Sequence, residues 1–308
     1  MGSLFSAAED AAAADAPAAW RLGGDREERM RRTNAEEGGA VRWACRVDAV
    51  EPGSEAFEAL RLTIDDERER ARVLAFAKPA DQQRARVSRV LVRRCARVGL
   101  VDAYEGVTRT ARGKPYAVAR GAPPHANFNF SVSHDGDYVL VASEPLALVG
   151  VDVCGGKERC EALSESLEPY KAAFSIEEWA AFFSGGVDLD AFLALWACKE
   201  AFTKARGDGL GFPFGDAEFT LTYRGGASFE ANVAVDGATL PDWRFRGETL
   251  NDHVCVSARG PITDIVDGEG AFRRTMASQM PEGALDAPWP AFSTLTPRDL
   301  VPDARAAA

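Results

Sequence analysis

The stretch FLALWACKEAFTKARGDGL, residues 192–210, decides how the rest of the chain is organised. At 100° per residue it predicts a helix whose apolar side consists of Ala194, Leu195, Cys198, Ala201, Phe202 and Ala205. The other side carries Trp196, Lys199, Glu200 and Lys204. Glu200 and Lys204 are four residues apart, so their side chains meet on one face, and Gly207 and Gly209 end the helix. Taken alone, the pattern is typical of a core helix with one solvated ion pair.

Length and composition set the broad class of the protein. A chain of 308 residues can bury a large core and corresponds to one or two domains. No apolar run approaches the roughly 20 residues that a membrane helix needs. Six cysteines are scattered without a CxxC pair: Cys45, Cys95, Cys154, Cys160, Cys198 and Cys255. This spacing suits neither a zinc site nor a disulfide framework, so we expect reduced thiols and a cytoplasmic protein.

The charge of the chain is unevenly distributed. A net charge of −11 argues against a nucleic-acid-binding protein. Between Arg70 and Arg120, however, 13 Lys or Arg stand against three Asp or Glu. This local excess of positive charge indicates a compact polyanionic ligand or an acidic partner surface, which would meet the arginines of residues 84–97. For those arginines it is about equally consistent with simple solvation of a helix.

The remaining pattern divides the chain into four parts. Residues 1–40 lack periodicity and predict a disordered extension, whose first residues match only the loose myristoylation pattern. Residues 41–149 and 150–262 each combine helices with a meander of short strands, which predicts an α+β fold of two similar subdomains. Residues 263–308 contain several prolines and little pattern, and we expect a poorly ordered tail.

Two segments outside the 192–210 helix indicate chemistry. RTARGKPY, residues 109–116, places three cations, one Gly and one Pro in eight residues, which favours a loop that binds phosphate. NFNFSVSHDGDYVLVA and VGVDV predict successive strands, with Asp152 inside a buried strand and Gly150 beside it on the same face. A buried acid is costly unless it is paired or binds a metal. An exposed position on an edge strand explains Asp152 equally well.

Together these segments resemble the 4′-phosphopantetheinyl transferase superfamily. The matching segments are RTARGKP, NFSVSHDGDYVLVA, VGVDV, FSIEEW and WACKEAFTKARGDGLGF, in the order that the family shows. The resemblance covers residues 41–259 and is strongest to the two-subdomain, broad-specificity branch that includes the eukaryotic aminoadipate-semialdehyde dehydrogenase-phosphopantetheinyl transferases. It implies a pseudo-dimer of two α+β halves, each a small antiparallel sheet with packed helices, and an active site at their interface. It also implies Mg²⁺-dependent transfer of phosphopantetheine from coenzyme A to a serine of an apo acyl or peptidyl carrier protein, by a monomer.

The resemblance implies a role for each matching residue. Asp152 and Glu200 correspond to the Mg²⁺ ligands, Glu200 also to the general base, and Lys204 to the lysine that contacts phosphate. Residues that would bind coenzyme A are Arg109, Thr110, Ala111, Arg112, Gly113, Lys114, Ser131, Val132, Ser133 and His134. Arg70 falls where the family has a cation toward the nucleotide, although pairing with Glu67 or Asp66 explains it nearly as well. The carrier could belong to fatty acid synthase, to polyketide or peptide synthetases, or to aminoadipate reductase, and the sequence does not distinguish them.

Two positions depart from the family pattern. Many relatives carry a second acid two residues after Asp152, where this chain has Cys154, and a thiol is a poor Mg²⁺ ligand. Either water replaces it or Asp135 supplies the third oxygen. Ser131 stands where the family has an Asn. The alternative function is therefore a non-catalytic module that binds coenzyme A or a carrier protein, and a third hypothesis, a P-loop phosphotransferase, lacks its GxxxxGK[ST] motif.

Overall fold

A computed structural model describes residues 39–48, 54, 58–60, 64, 66–155, 167–183, 188–225, 228–277 and 279–300. The predicted disordered extension, apart from residues 39 and 40, lies outside these ranges. None of the helices within them combines the length and the apolar character that crossing a bilayer requires.

Twelve strands and five α-helices make up the described fold. The strands are β1 Val41–Arg46, β2 Tyr104–Arg109, β3 Pro115–Ala119, β4 Asn129–Asp135, β5 Tyr138–Glu144, β6 Leu148–Cys154, β7 Ala217–Gly225, β8 Ser228–Val235, β9 Ala238–Thr239, β10 Arg244–Leu250, β11 His253–Gly260 and β12 Ser293–Leu295. The helices are α1 Glu67–Leu74, α2 Pro79–Leu100, α3 Ile176–Phe183, α4 Leu189–Arg206 and α5 Pro297–Leu300. Pro79 opens α2 at its first turn, where a missing N–H costs nothing.

The strands form two main sheets and a hairpin. The first sheet has the order β12-β1-β5-β4, and the second has the order β6-β11-β10-β8-β7 with β9 added to β8. Neighbours are antiparallel except for β1 and β12, which are parallel. Strands β2 and β3 form a separate hairpin. This arrangement confirms the predicted α+β fold of two subdomains.

Each main sheet packs against one long helix. Helix α2 covers β4 and β5, and helix α4 covers β6 and β11. Helix α4 ends as predicted, because Gly207 adopts a left-handed conformation and donates to the Thr203 carbonyl. Lys199 was expected on the solvated side of α4, but it is 1% exposed and pairs with the buried Glu178 at 2.9 Å. A capping box of Ser175 and Glu178 at the start of α3 brings this carboxylate there.

Gly150 allows α4 to lie directly against β6. A Cβ atom built on Gly150 would come within 1.8 Å of the Ala201 carbonyl oxygen, so only glycine fits. Asp152 lies two residues further along the same strand, on the face that α4 covers. On the opposite face, three valines pack with residues of the first sheet in a shared cluster: Ala44, Tyr138, Leu140, Ala142, Val149, Val151, Val153 and Cys255. The two halves thus meet around β6.

Residues 263–277 and 279–300 join both halves, which corrects the prediction of a poorly ordered tail for this part; residues 278 and 301–308 lie outside the described residues. Phe272 is buried in the core of the second half, and Leu295 is buried in that of the first. Arg259 donates to the carbonyls of Leu285 and Ala287 and stacks on Trp289. The segment lacks a regular period because, apart from the short strand β12 and helix α5, its described residues lie in turns and irregular backbone. Their buried partners explain why they are ordered.

Candidate active site

Lys204 lies between two carboxylates at the junction of the halves. Its Nζ donates to Asp152 Oδ1 at 2.5 Å and lies 3.9 Å from Glu200 Oε2. Helix α4 positions Glu200 and Lys204 four residues apart, as the sequence predicts. Asp152 is 3% exposed, which favours the paired reading over an exposed acid. It does lie on an edge strand, but the other half of the molecule covers that edge.

The electrostatics of these three groups are coupled. Burial raises the pKa of Glu200, and the negative charge of Asp152 raises it further, whereas Lys204 lowers it. Burial opposes the charge of Lys204, but Asp152 and Glu200 outweigh it, so the pKa of Lys204 lies above its usual value. Lys204 therefore stays positively charged at neutral pH, and Glu200 accepts a proton more readily than an ordinary glutamate.

The loop between β2 and β3 carries the predicted phosphate-binding cations. Gly113 has a φ of +90° and donates to the Thr110 carbonyl, and Lys114 N donates to Thr110 Oγ1. The loop packs against the end of α4, because Lys114 Nζ donates to the Lys204 carbonyl at 2.7 Å. Burial lowers the pKa of Lys114 to about 7. This ammonium has a carbonyl partner here, and an anion would favour its charged form.

A cleft of about 430 Å³ joins this loop to the Lys204 group. It is lined by Phe76, Ser88, Arg89, Arg109, Arg112, Gly113, Lys114, Pro115, Ser131, Val132, Ser133, His134, Thr203, Lys204, Gly207 and Gly209. Six predicted site residues are absent from this lining: Arg70, Thr110, Ala111, Asp135, Asp152 and Glu200. Asp152 reaches the cleft through its contacts with Ser133 and Lys204. Arg70 lies on α1 in the first half, and its guanidinium donates to the Ile64 carbonyl instead of lining the cleft.

Phe76, Ser88 and Arg89 line the cleft but were not predicted as site residues. Arg89 pairs with Glu69 at 3.1 Å, and Arg89 also helps to lower the pKa of Arg109, after burial, which is the main cause. The positive charge of α2 was the available signal, but the sequence could not indicate which arginine faces the ligand.

The arginines of residues 84–97 do not form the exposed basic patch expected for an acidic partner. None of them is exposed in the structure. Arg84 pairs with Asp81 and donates to the Gly136 carbonyl, and Arg94 donates to the Asp299 carbonyl. Simple solvation of a helix does not describe Arg84, Arg89 and Arg94, because their guanidinium groups bind Gly136, Glu69 and Asp299 of neighbouring segments.

Residues 131–134, which were predicted to bind coenzyme A, lie within the edge strand β4. Ser131 and Ser133 are buried, and the hydroxyl of Ser133 donates to Asp152 Oδ1 at 2.7 Å and accepts from Lys204 Nζ at 2.9 Å. His134 reaches solvent at the cleft mouth. The walls of the cleft desolvate the imidazole and lower its pKa, and the charges of Lys204 and Arg84 lower it further. His134 is therefore neutral at pH 7 and offers one N–H to a ligand.

The predicted third metal ligand is not assembled with the other two. Within the described ranges, no group of three or more His, Cys, Asp or Glu side chains is placed to hold a metal ion. Asp135 Oδ2 accepts from the Gly155 N–H at 3.0 Å. Burial and the neighbouring carboxylates raise the pKa of Cys154 well above its usual value, and its thiol contacts Asp152 Oδ2. Asp152 and Glu200 remain as the two oxygen donors beside the cleft.

The chain is similar in sequence to known proteins over most of its described length. A family model described as the N-terminal part of 4′-phosphopantetheinyl transferase matches residues 49–146, and a 4′-phosphopantetheinyl transferase superfamily model matches residues 148–258. The L-aminoadipate-semialdehyde dehydrogenase-phosphopantetheinyl transferase of Homo sapiens is 32% identical over 234 residues, which span 72% of this chain and 75% of the relative. A phosphopantetheinyl transferase of Thraustochytrium sp. is 34% identical over 70% of this chain and 76% of its own length.

Proposed function

Because this chain belongs to the 4′-phosphopantetheinyl transferase superfamily, we propose that it is a holo-[acyl-carrier-protein] synthase. It transfers 4′-phosphopantetheine from coenzyme A to a serine of an apo carrier protein and releases adenosine 3′,5′-bisphosphate. The observation that carries this proposal is the cleft itself, where the Lys114 loop faces the group of Lys204, Asp152 and Glu200.

The substrate would lie with its phosphates against the positive side of the cleft. Lys114, Arg109 and Arg112 are assigned to the phosphates of coenzyme A, since converging cations and exposed backbone N–H groups favour such ligands. His134 is assigned to the 3′-phosphate as an N–H donor, and the charge of that phosphate would favour the protonated imidazole. Residues 110, 111 and 113 contribute the turn that holds the cations, and Val132 contributes to the wall.

The chemical step requires one proton transfer and one displacement at phosphorus. The serine oxygen of the carrier forms a bond to the phosphorus that bears pantetheine, and the bond from that phosphorus to the bridging oxygen breaks. The serine proton passes to Glu200, whose raised pKa suits a general base near neutral pH. Lys204 stabilises the negative charge that develops on the leaving bisphosphate.

Asp152 and Glu200 fit a bound Mg²⁺ ion. Both offer hard oxygen donors, and the Lys204 ammonium beside them shows that this position favours a cation. When bound, Mg²⁺ would neutralise charge on the pyrophosphate. With Asp135 held by Gly155, we propose that substrate oxygens and water complete the ligand set. The thiol of Cys154 contacts Asp152 without replacing it, so we favour the enzyme over the non-catalytic alternative.

Two further properties belong to this proposal. Both similar halves lie in one chain and meet around one cleft, which supports a monomer. Among the described residues the cysteines are free and buried, which supports a reducing compartment such as the cytoplasm. Apo acyl and peptidyl carrier proteins of fatty acid or polyketide synthesis are the proposed partners.

The test is the intact mass of an apo acyl carrier protein after incubation with this protein, coenzyme A and Mg²⁺. A mass gain of one phosphopantetheine arm is expected, and EDTA should abolish it. Glu200→Gln and Asp152→Ala should abolish transfer while the protein stays folded, whereas Glu177→Gln, at an exposed position, should keep it. No gain with several carriers, while coenzyme A still binds, would contradict the enzyme and favour the binding module.

A further inference from the structure

Side chains of β4 take the place of a neighbouring strand along the edge of β6. Every second residue of β4 accepts a hydrogen bond from the backbone N–H of the residue twenty positions later. The four pairs are Asn129 with Val149 at 3.0 Å, Ser131 with Val151 at 3.1 Å, Ser133 with Val153 at 3.4 Å and Asp135 with Gly155 at 3.0 Å. Buried backbone donors of an edge strand need partners, and here the other half of the molecule supplies them.

Asp152 lies between the two serine pairs of this ladder. Ser131 holds the N–H group that precedes Asp152, and Ser133 holds the one that follows it. The Ser133 hydroxyl also donates to the Asp152 carboxylate and accepts from Lys204. A hydroxyl has one donor and two acceptor sites, so these three contacts use all of them.

We propose that Ser131 and Ser133 are positioning residues, which hold the backbone on both sides of Asp152 so that its carboxylate stays beside Lys204 and available to a divalent cation. This inference rests on the proposed role of Asp152. It gives the Ser131 hydroxyl a task other than ligand contact, because that hydroxyl is turned toward β6 and buried. Removing it would leave the Val151 N–H without its acceptor and let the strand shift.

The chain offers a matched control for a lost serine hydroxyl. Ser143 is as buried as Ser131, at 3% exposure, and its hydroxyl also accepts from a backbone N–H, that of Val41, at 3.2 Å. It lies on β5, opposite Phe130 of β4, but its hydroxyl accepts from Val41 and donates to the Gly39 carbonyl of the first half instead of holding an N–H group of β6. Ser143→Ala therefore removes the same kind of bond at the same depth without releasing Asp152.

The experiment compares Ser131→Ala, Ser133→Ala and Ser143→Ala in the full chain. Amide hydrogen exchange measured by NMR should speed up at Val151 in Ser131→Ala but not in Ser143→Ala. Mn²⁺ binding, followed by electron paramagnetic resonance with coenzyme A present, should weaken about tenfold or more in the two ladder variants, as for other supporting residues around metal ligands. In Ser143→Ala the Mn²⁺ affinity should stay within about twofold of the wild type, because no residue around Asp152 changes.

The two measurements separate this inference from the proposed function. Neither requires turnover, so they decide it even if the wild-type protein transfers nothing. Faster exchange with weaker Mn²⁺ binding in the ladder variants alone supports the inference. Unchanged exchange at Val151 overturns the ladder, and faster exchange with unchanged Mn²⁺ binding overturns the positioning role. Equal loss of Mn²⁺ binding in Ser143→Ala would also overturn it, since any lost hydroxyl would then have the same effect.

Discussion

Lys114 should make phosphate binding by this protein depend on pH in a way that one substitution removes. The folded protein lowers its pKa from 10.5 to about 7, mainly through burial. An anionic phosphate beside it favours the ammonium form, so binding above pH 7 requires uptake of a proton. Between pH 7 and pH 9, the affinity for adenosine 3′,5′-bisphosphate should fall by about 50-fold, provided the bound ammonium stays protonated.

The assay is isothermal titration calorimetry across this pH range, in buffers of different ionisation enthalpy. The phosphates of the ligand are almost fully ionised above pH 7, since their second pKa lies near 6. In Lys114→Met the affinity should be weaker at pH 7 and nearly independent of pH. Lys171→Met, at an exposed position, should behave as the wild type. A pH dependence that persists in Lys114→Met, or wild-type binding without proton uptake, would refute the reasoning.

The same pKa shift also predicts the direction of a stability change. Between pH 7 and 10.5 the unfolded chain binds more protons at Lys114 than the folded one does, so the free energy of unfolding should rise with pH in this range. The slope from this residue is at most about 1.4 kcal/mol per pH unit. Urea unfolding of the wild type and Lys114→Met at pH 7 and pH 8.5 measures the difference, and equal slopes would contradict the shift.

Three further predictions follow from the packing around α4 and the carboxyl-terminal segment. Gly150→Ala should push α4 away from β6, and it should lower both the free energy of unfolding and the transfer activity. Overpacking a tight contact costs about 1–3 kcal/mol or more. Gly106→Ala, with open space at its Cβ position, is the control in urea unfolding and transfer assays. Lys199→Met should leave the buried Glu178 carboxylate without its cation and lower the free energy of unfolding by about 3–5 kcal/mol. Adding Glu178→Gln should restore part of this stability. Losses that simply add in the double variant would contradict a stabilising ion pair. Trp289→Ala should lower the free energy of unfolding by about 1–2 kcal/mol, because its ring stacks on a buried guanidinium, and an unchanged midpoint in urea would argue against that contact.

The sequence predicted the elements that carry regular patterns. Helix α4 and the strands β4 to β6 follow from periodicity and local signals. The spacing of Glu200 and Lys204 predicted that they meet, and family motifs pointed to Asp152. Strands β2 and β3 were missed because they are short and contain Gly106 and Pro115, which weaken a strand pattern.

What could not be predicted depends on pairing between distant segments. The helical pattern placed Lys199 on the solvated side of α4 because a charged residue is normally exposed. Its ion-pair partner Glu178 lies 21 residues earlier, outside the helix, and is not visible in that pattern. The arginines of α2 were expected to be exposed on the surface of the molecule for the same reason. The ladder between β4 and β6 has a constant spacing of twenty residues, but only the meeting of the two edges gives this spacing meaning.

The place of β12 beside β1 has a consequence for how the molecule is made. The first sheet combines Val41–Arg46 with Ser293–Leu295, so it cannot be completed until residue 295 has left the ribosome. The second sheet lies within residues 148–260 and needs no later segment for its strands. We expect this sheet to form first, since contacts of short sequence separation are made sooner than distant ones. The nascent first half would expose the edge of β1 in the meantime, and this edge is where chaperones or aggregation would act on an unfinished chain.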